Sequence, residues 1–171
     1  KNGAEIATTK TSDSAQQLVY SQLMGVFPTI EQHYDVKYKG TEPIQFEWIP
    51  QNASRQPAAE NSIYVGGKWA RTKPCDFTAV LFLVNYQDEP PIDIDFEVFG
   101  GKLEFPQHQF SFNPERGTMI VFPSDARFIN ATSLVEVGDA YQARIQFVMT
   151  QPYHYNPRNF PGDYRSWFAN L

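Results

Sequence analysis

Few side chains in this sequence have the types and spacing that catalysis requires. The 171 residues include three histidines and one cysteine, which are His33, His108, His154 and Cys75. Cys75 directly follows Pro74, and no cysteine or serine has the strand–turn–helix setting that exposes a catalytic nucleophile. A cysteine in this setting is more often a small apolar core residue than a reactive one. The residues therefore give no indication of nucleophilic catalysis.

Charge and composition restrict the range of partners. The formal net charge is −5, and no run of basic residues occurs in the sequence. Such a chain attracts neither nucleic acid nor an anionic membrane surface. No apolar stretch approaches the length of a membrane span, and no signal-peptide core is found near the N-terminus. We therefore expect no nucleic acid and no membrane among the partners. Because the chain begins with Lys1, we expect a processed product or part of a longer protein.

One helix is predicted near the N-terminus. Residues 1–13 are small and polar, and they are predicted to form a flexible segment. From residue 14 to residue 27, apolar side chains recur near helical spacing, at Leu18, Val19, Leu23 and Val26. A serine or aspartate within 12–14 could cap this helix, and Pro28 is predicted to end it.

Strand patterns dominate the chain between this helix and residue 150. Apolar and polar residues alternate in YDVKYKG, PIQFEWIP and YQARIQFVMT, as they do in half-buried strands. The apolar run DFTAVLFLVNY (76–86) predicts a strand buried on both faces. Its two faces would carry Val80, Phe82 and Val84 on one side, and Leu81 and Leu83 on the other. Residues 51–62 have the composition of a loop. Many short strands with one helix packed outside favour an all-β sandwich or barrel.

The order of motifs from Ile63 onward is specific. It runs IYVGGKW, TAVLFL, GGKLEFP, NPERGTMIVFPS and LVEVGDAYQARIQF. This series resembles the iron(II)/2-oxoglutarate dioxygenases of the prolyl 4-hydroxylase type, and most of all the versions encoded by bacteriophages. The resemblance implies a double-stranded β-helix, a cupin-like jelly roll, over residues 14–150. An aromatic and proline-rich C-terminal segment, 151–171, would follow it.

The resemblance also implies where an iron site would lie. The family holds Fe(II) with a His-x-Asp pair and a second histidine, and a later lysine or arginine binds 2-oxoglutarate. Alignment on Tyr64, Gly67 and Gly138 fills these four positions with Lys73, Cys75, Asn130 and Ala140. A small shift of register could bring in Asp76 as the carboxylate or Arg144 as the basic group, but never a histidine. We therefore expect no metal, no cofactor and no catalytic residue, with Lys73 or Cys75 and Asn130 lining the mouth of an empty site.

A second His-x-Asp pair exists at His33 and Asp35, and it is weighed against this expectation. It lies far upstream of TAVLFL, so a long insertion would be needed to bring it to the site. His108 lies on the wrong strand for the second ligand, and His154 lies beyond the last core strand. Histidines that are exposed or hydrogen-bonded are the simpler interpretation. The alternative is an iron site built from His33, Asp35 and His108.

The C-terminal segment differs from the rest of the chain. Its aromatic residues are spread among proline, asparagine and arginine with no strand or helix period. They are Tyr153, Tyr155, Phe160, Tyr164, Trp167 and Phe168. Exposing so many aromatic rings to water is unfavourable. The segment would either complete the core of its own sheet or anchor a neighbouring subunit, and the sequence leaves both open.

Two functions follow from these observations. The first is a pseudoenzyme: a non-catalytic structural or interaction module of a phage particle, located in the virion and bound to other phage structural subunits. The second is an active hydroxylase that uses Fe(II) and 2-oxoglutarate on a protein or small-molecule substrate, in which case the host cytoplasm is the expected location. Iron content and 2-oxoglutarate turnover would separate the two.

Overall fold

The computed structural model describes residues 7–9, 11–92, 97–113 and 115–151. These residues form one α-helix and fifteen strands, so the prediction of an all-β chain with one N-terminal helix is confirmed. In chain order the elements are β1 (Ala7–Thr9), α1 (Asp13–Tyr34), β2 (Tyr38–Thr41), β3 (Gln45–Ile49), β4 (Arg55–Ala58), β5 (Ser62–Val65), β6 (Lys68–Arg71), β7 (Phe77–Phe82), β8 (Asn85–Tyr86), β9 (Glu97–Gly100), β10 (Leu103–Phe105), β11 (Phe110–Phe112), β12 (Met119–Pro123), β13 (Asn130–Thr132), β14 (Val135–Val137) and β15 (Ala140–Met149). No helix in these ranges combines the length and apolar character that crossing a membrane requires.

The helix is longer than the sequence predicts. Ser12 is the N-cap, and its hydroxyl accepts a hydrogen bond from the backbone N–H of Ala15 at 3.3 Å. The helix does not end at Pro28 but continues to Tyr34, where Asp35 adopts the left-handed conformation at the C-cap. The side chains buried against the sheet extend on both sides of Pro28, and their packing outweighs the backbone hydrogen bond that proline removes. They are Val19, Leu23, Phe27 and Ile30. Leu18 and Val26, which the spacing assigned to the apolar face, are exposed.

Two sheets position the rest of the chain. Within the described residues, the larger sheet has six strands in the order β1-β3-β15-β7-β12, with β2 also pairing with β15. The second sheet has the order β11-β10-β13-β4. Smaller sheets join β14-β9-β8 and β5-β6. Because β15 pairs with β3 on one side and β7 on the other, it is the central strand of the larger sheet.

Strand β7 spans Phe77–Phe82, shorter than the predicted 76–86, and Val84 beyond its end packs in a separate cluster with Ile49 and Val98. Within β7 the two faces are as predicted. Leu81 packs in the core between α1 and the larger sheet, while Val80 and Phe82 pack on the opposite side with side chains of β10 and β12. All six residues of β7 are buried, as expected for a strand covered on both faces. The larger sheet is therefore the middle layer, with α1 packed on one face and the second sheet on the other.

Two glycines are fixed by close contacts at the junction of β9 and β14. Gly100 and Gly138 both have φ of +80°, which other residues rarely adopt. A Cβ atom on Gly100 would lie 2.1 Å from the Leu134 carbonyl oxygen, and one on Gly138 would lie 2.7 Å from the Glu97 carbonyl oxygen. Only glycine fits at these two turns.

Two regions have more structure than the sequence predicts. Residues 7–9, inside the segment expected to be flexible, pair with β3 as strand β1. Residues 55–58, inside the expected loop 51–62, form β4 and pair with β13. Pro57 and the small residues around it hide this strand, because proline weakens a strand prediction and is tolerated at a sheet edge.

Candidate functional site

The central strand β15 carries three polar side chains on its inner face. Side chains alternate along a strand, and the apolar set at Ala143, Ile145 and Phe147 packs toward α1. The residues between them, Gln142, Arg144 and Gln146, face the second sheet and are all buried. Buried polar groups are costly unless they are hydrogen-bonded. The partners of these three side chains therefore define the candidate site.

Glu60, which follows β4, is the main partner. Its Oε1 accepts hydrogen bonds from Arg144 Nη1 at 2.7 Å and from Arg55 Nη1 at 2.9 Å. Its Oε2 accepts one from Gln146 Nε2 at 2.9 Å. The Glu60 side chain is 2% exposed and that of Arg144 is 1% exposed. The pair is a buried ion pair that joins the loop after β4 to the larger sheet.

Glu47 on β3 provides a second carboxylate. Its Oε2 accepts hydrogen bonds from Gln142 Nε2 at 2.5 Å and from Arg144 Nε at 3.4 Å. Arg144 therefore lies between two carboxylates, Glu47 and Glu60. With Arg55, the four charged side chains have a formal charge of zero, and we call these four residues with Asn130, Gln142 and Gln146 the buried network.

Electrostatics in the buried network favour the charged form of Glu60. Burial alone raises the pKa of Glu60, but the charges of Arg144 and Arg55, with hydrogen bonds from Arg55 and Asn130, lower this pKa to about 2. Burial lowers the pKa of Arg144, and the Glu60 carboxylate opposes that effect. Arginine keeps its proton in proteins because its ordinary pKa is above about 12. Both partners are therefore ionised at neutral pH.

Asn130, which the motif alignment places at the second histidine, belongs to this network. It is buried, and its Oδ1 accepts hydrogen bonds from Arg55 Nη1 at 2.8 Å and Arg144 Nη1 at 3.4 Å. Its Nδ2 donates to Glu60 Oε1 at 3.1 Å and lies 3.3 Å from the carbonyl oxygens of Ala58 and Phe128. The amide of Asn130 is thus engaged on both sides by protein groups.

The residue that the motif alignment places at the basic position, Ala140, carries no charge. Ala140 is buried in an apolar cluster with Ile49 and Val135. The arginine on the same strand, Arg144, lies four residues further along and is held by Glu47 and Glu60. Four residues of strand span about 13 Å. The positive charge on β15 therefore lies about 13 Å from Ala140 and is already neutralised.

The residues aligned with His-x-Asp, Lys73 and Cys75, are not part of the buried network. Lys73 is exposed, while Cys75 is fully buried, and burial raises the pKa of its thiol. The buried Asp76 carboxylate accepts hydrogen bonds from Arg71 Nη2 at 2.9 Å and from the Met149 backbone N–H at 2.8 Å. Asn61 connects this region to the buried network, because its Nδ2 donates to the Cys75 carbonyl oxygen at 2.7 Å and Glu60 precedes it.

Lys73 and Cys75 line an open groove rather than a closed active site. The groove has a volume of about 450 Å³, and its other lining residues are Glu42, Pro43, Ile44, Gln45, Pro74 and Gln146. Asn130 is not among the lining residues, although Gln146 reaches both the groove and Glu60. That Lys73 or Cys75 and Asn130 line the mouth of the β-helix stays a prediction, and Asn130 itself is fully buried.

The alternative ligand set is not assembled in the described residues. His33 is exposed in the last turn of α1, and Asp35 caps the end of that helix. His108 forms a 2.7 Å hydrogen bond between its Nε2 and the Arg127 carbonyl oxygen, and its ring stacks on Phe128. No group of three or more His, Cys, Asp or Glu side chains that could hold a metal occurs in the described ranges. His154 lies outside them.

Sequence patterns miss most of the buried network. Gln142, Arg144 and Gln146 alternate with apolar residues, which is also the pattern of a strand with a solvated face. Glu60 lies in a stretch of loop composition, and Arg55 lies in the unrecognised strand β4. The only signal is a charged residue at the centre of each of two strands, Glu47 in β3 and Arg144 in β15, of opposite sign. Their pairing becomes visible only when β3 and β15 are adjacent.

Similarity to known proteins is found at the level of structure. No protein-family model and no curated protein matches this sequence. The viral collagen prolyl hydroxylase of Paramecium Bursaria Chlorella virus-1, in complex with 2OG, matches with a TM-score of 0.63 and 16% identity, over 85% of this chain and 80% of that chain. A prolyl-4-hydroxylase of Pseudomonas putida matches with a TM-score of 0.56 and 14% identity, over 86% and 71%. A prolyl hydroxylase of Trichoplax adhaerens, in complex with a hypoxia inducible factor peptide fragment, gives 0.55 and 12%, over 84% and 61%.

The fold is the double-stranded β-helix of the prolyl hydroxylases. The predicted fold class is thereby confirmed, with the helix packed on one sheet. At 12 to 16% identity these neighbours show the fold alone. What this β-helix does has to be argued from its own residues.

Proposed function

We propose that this chain is a non-catalytic interaction module, a structural subunit of a phage particle built on the β-helix of the oxygenases. The single observation that carries the proposal is the ion pair between Arg144 and Glu60, with Asn130 hydrogen-bonded to both. Its partners would be other structural subunits of the phage, and its location the virion. The phage assignment rests on the resemblance of the motif series from Ile63 to phage-encoded versions of the family.

The donor set of the buried network does not suit Fe(II). The family's metal needs two imidazoles and a carboxylate, with open positions for cosubstrate and oxygen. Here Asn130 Oδ1 points at two guanidinium groups, so a divalent cation would meet the positive charges of Arg55 and Arg144. At the other aligned positions, Lys73 is cationic and the Cys75 thiol is kept protonated by burial. Metal binding would require breaking the network.

The cosubstrate has no matching group either. A 2-oxoglutarate carboxylate needs a cation that is free to bind it, and Ala140 supplies none. Arg144 is the buried cation of the same strand, but Glu47 and Glu60 already bind it. Freeing Arg144 would leave two buried carboxylates without their shared partner, which is strongly unfavourable. The same contacts therefore argue against binding of both the cosubstrate and the metal.

The aromatic segment 151–171 is the proposed contact with a neighbouring subunit. All but Gln151 of this segment lies outside the described residues, so the proposal rests on composition. Tyrosine, tryptophan and arginine are enriched at the energetic centres of protein interfaces, and Tyr164, Trp167 and Phe168 are close in sequence. A module without catalytic activity would function by binding other proteins through such surfaces.

Iron loading tests the proposal. The purified chain is incubated anaerobically with Fe(II), desalted, and assayed for bound iron and for turnover of 2-oxoglutarate to succinate. We expect neither to exceed the level of a His33→Ala/His108→Ala double variant, which removes two ligands of the alternative site. Stoichiometric iron with succinate release would overturn the proposal. If the wild type binds iron and the double variant does not, the alternative function is supported: an active hydroxylase with His33, Asp35 and His108 as ligands. The fold of the neighbouring structures favours this alternative.

A further inference from the structure

The β5–β6 hairpin stands apart from the two main sheets. In the described ranges its strands pair only with each other, with Val65 opposite Lys68 and Tyr64 opposite Trp69. Gly66 and Gly67 form the two-residue turn with φ of +60° and +81°, and positive φ at both positions is the requirement of a type I′ turn. A two-stranded hairpin on its own is barely stable in water.

Three consecutive apolar residues of β5 are exposed. Ile63 is 51%, Tyr64 46% and Val65 55% exposed. Because neighbouring side chains of a strand point to opposite faces, both faces of the hairpin present apolar surface. The ring of Tyr64 contacts Trp69 across the hairpin at 5.5 Å between centroids, which leaves Ile63 and Val65 without such cover within the hairpin. Contiguous exposed apolar surface of this kind marks an interaction site.

The base of the hairpin is firmly held, so its exposure is not a sign of a poorly anchored loop. Arg71 at the end of β6 donates hydrogen bonds from Nη2 to the Cys75 carbonyl oxygen at 3.0 Å and to Asp76 Oδ1 at 2.9 Å. The Thr72 backbone N–H donates to the Asn61 carbonyl oxygen at 2.7 Å. The hairpin is thus presented from a fixed point on the β-helix.

The two edges of the hairpin differ in charge. The β6 edge carries Lys68 and Arg71, and charged residues of this kind prevent edge-to-edge pairing. The β5 edge reads Ser-Ile-Tyr-Val and carries no charge. The two residues that flank a two-residue turn, Val65 and Lys68, form a hydrogen-bonded pair. Because hydrogen-bonded and non-hydrogen-bonded pairs alternate, the preceding residue, Tyr64, directs its backbone N–H and C=O away from β6. Among the described residues, no strand pairs with this edge of β5.

We propose that β5 pairs with β5 of a second copy of this chain, antiparallel, with Tyr64 next to Tyr64 of the partner at the two-fold axis. A two-fold contact places the same surface against itself, so a self-pairing strand must not repel itself. The uncharged β5 meets this condition, whereas β6 would oppose its own positive charges. Pairing would create a four-stranded sheet, and Ile63 of each copy would lie beside Val65 of the other. The inference names a second copy as a partner within the proposed function.

A cysteine cross-link tests the pairing directly. Residues opposite each other in a hydrogen-bonded antiparallel pair have Cα atoms about 5.5 Å apart, within the range of a disulfide. Cys75, the one native cysteine, is fully buried, so an introduced cysteine would be the reactive one. We expect Tyr64→Cys to form a covalent dimer on mild oxidation, and Leu18→Cys, on the exposed face of α1, to form at least tenfold less. Equal cross-linking of the two variants would overturn the proposal.

Sedimentation of the full chain provides the second readout. We expect the wild type to dimerise with rising concentration, and Val65→Lys, which adds a charge to the exposed edge, to weaken the dimer at least tenfold while Leu18→Lys does not. A wild type that stays monomeric would overturn the pairing. An intramolecular cross-link in a Tyr64→Cys/Trp167→Cys variant would also overturn it, because β5 would then contact the chain's own C-terminal segment. Neither result depends on iron, so the pairing can fail while the proposed function stands.

Discussion

The two faces of strand β15 are both buried, but one is stabilised by apolar packing and the other by hydrogen bonds and ion pairs. The outer face, at Ala143, Ile145 and Phe147, packs against α1 with apolar side chains alone. The inner face carries Gln142, Arg144 and Gln146, whose burial is offset by hydrogen bonds and two carboxylates. Apolar packing tolerates small changes of volume, and its energy is roughly proportional to the area removed from water. A buried ionic network has no such tolerance, because each missing partner leaves a charge uncompensated.

This difference supports the proposed function. An interior that received a metal and a cosubstrate would have to keep charged groups available for them. Here the charges of Glu47, Glu60, Arg55 and Arg144 are paired with one another. On β15, the inner face is therefore packed by an ionic network and the outer face by apolar side chains, and substitutions can test each face separately.

The largest effect is expected from removing Arg144. An Arg144→Met variant keeps an unbranched apolar stem but leaves Glu47 and Glu60 buried without their shared cation. Breaking a buried ion pair in this way costs about 3 to 5 kcal/mol of unfolding free energy, which denaturant unfolding would measure. The matched control is Arg144→Met/Glu60→Gln, in which one carboxylate is removed as well. A double variant as unstable as the sum of the two single variants would show that the two side chains do not interact.

A pH titration of stability should separate the two faces. The folded-state pKa of Glu60 is about 2, below its ordinary value of 4.5, so its contribution is complete above pH 4.5 and is lost as the pH falls toward 2. The lowered pKa corresponds to about 3 kcal/mol. We expect this acid-dependent part to be absent in Glu60→Gln and unchanged in Ile145→Val. Identical pH profiles for Glu60→Gln and the wild type would remove Glu60 from the account.

A substitution at Trp167 tests the proposed interface. Trp167 lies in the C-terminal segment outside the described residues. Truncating a central interface aromatic to alanine typically costs about 2 kcal/mol or more in binding. We expect Trp167→Ala to reduce incorporation into particles more than it lowers the melting temperature, with the exposed Tyr20→Ala on α1 as control. The opposite result, a large drop in melting temperature with normal incorporation, would assign the segment to the chain's own core.

The smallest effect is expected on the outer face. Ile145 is fully buried between the larger sheet and α1, so Ile145→Val removes one methylene from an apolar core. Such a change costs about 0.5 to 1.5 kcal/mol, and it should be the same at pH 7 and pH 3 because no charge is involved. A marked pH dependence of this cost would mean that the two faces of β15 are coupled.

The strands and the fold could be predicted because they depend on local patterns. The uninterrupted apolar run of β7 and the alternation in β15 are read directly from the sequence, and both faces of β7 are as predicted. The end of the helix was wrong because the packing of Phe27 and Ile30 against the sheet carries α1 through Pro28. Leu18 and Val26 were assigned to the buried face because near-helical spacing does not fix which stripe of a helix meets the sheet.

The site was harder to predict because it depends on partners distant in sequence. That Asn130, Ala140 and Lys73 do not match the family's ligands is visible from an alignment of motifs. That Asn130 binds Arg55, and that Arg144 joins Glu47 to Glu60, requires knowing which strands lie side by side. Alternation alone cannot distinguish a polar face turned to water from one turned to a second sheet.

A crystal structure of the chain grown with millimolar Mn²⁺ and 2-oxoglutarate tests the central claim most directly. Mn²⁺ is bound by the oxygen and nitrogen ligands that suit Fe(II) in such sites, and it can be located by anomalous scattering. The predicted result is an intact buried network, with Arg144 bonded to Glu60 and no anomalous peak between Asn130 and the positions of Lys73 and Cys75. A manganese ion in that place, with Arg144 swung away from Glu60 to bind 2-oxoglutarate, would contradict the account.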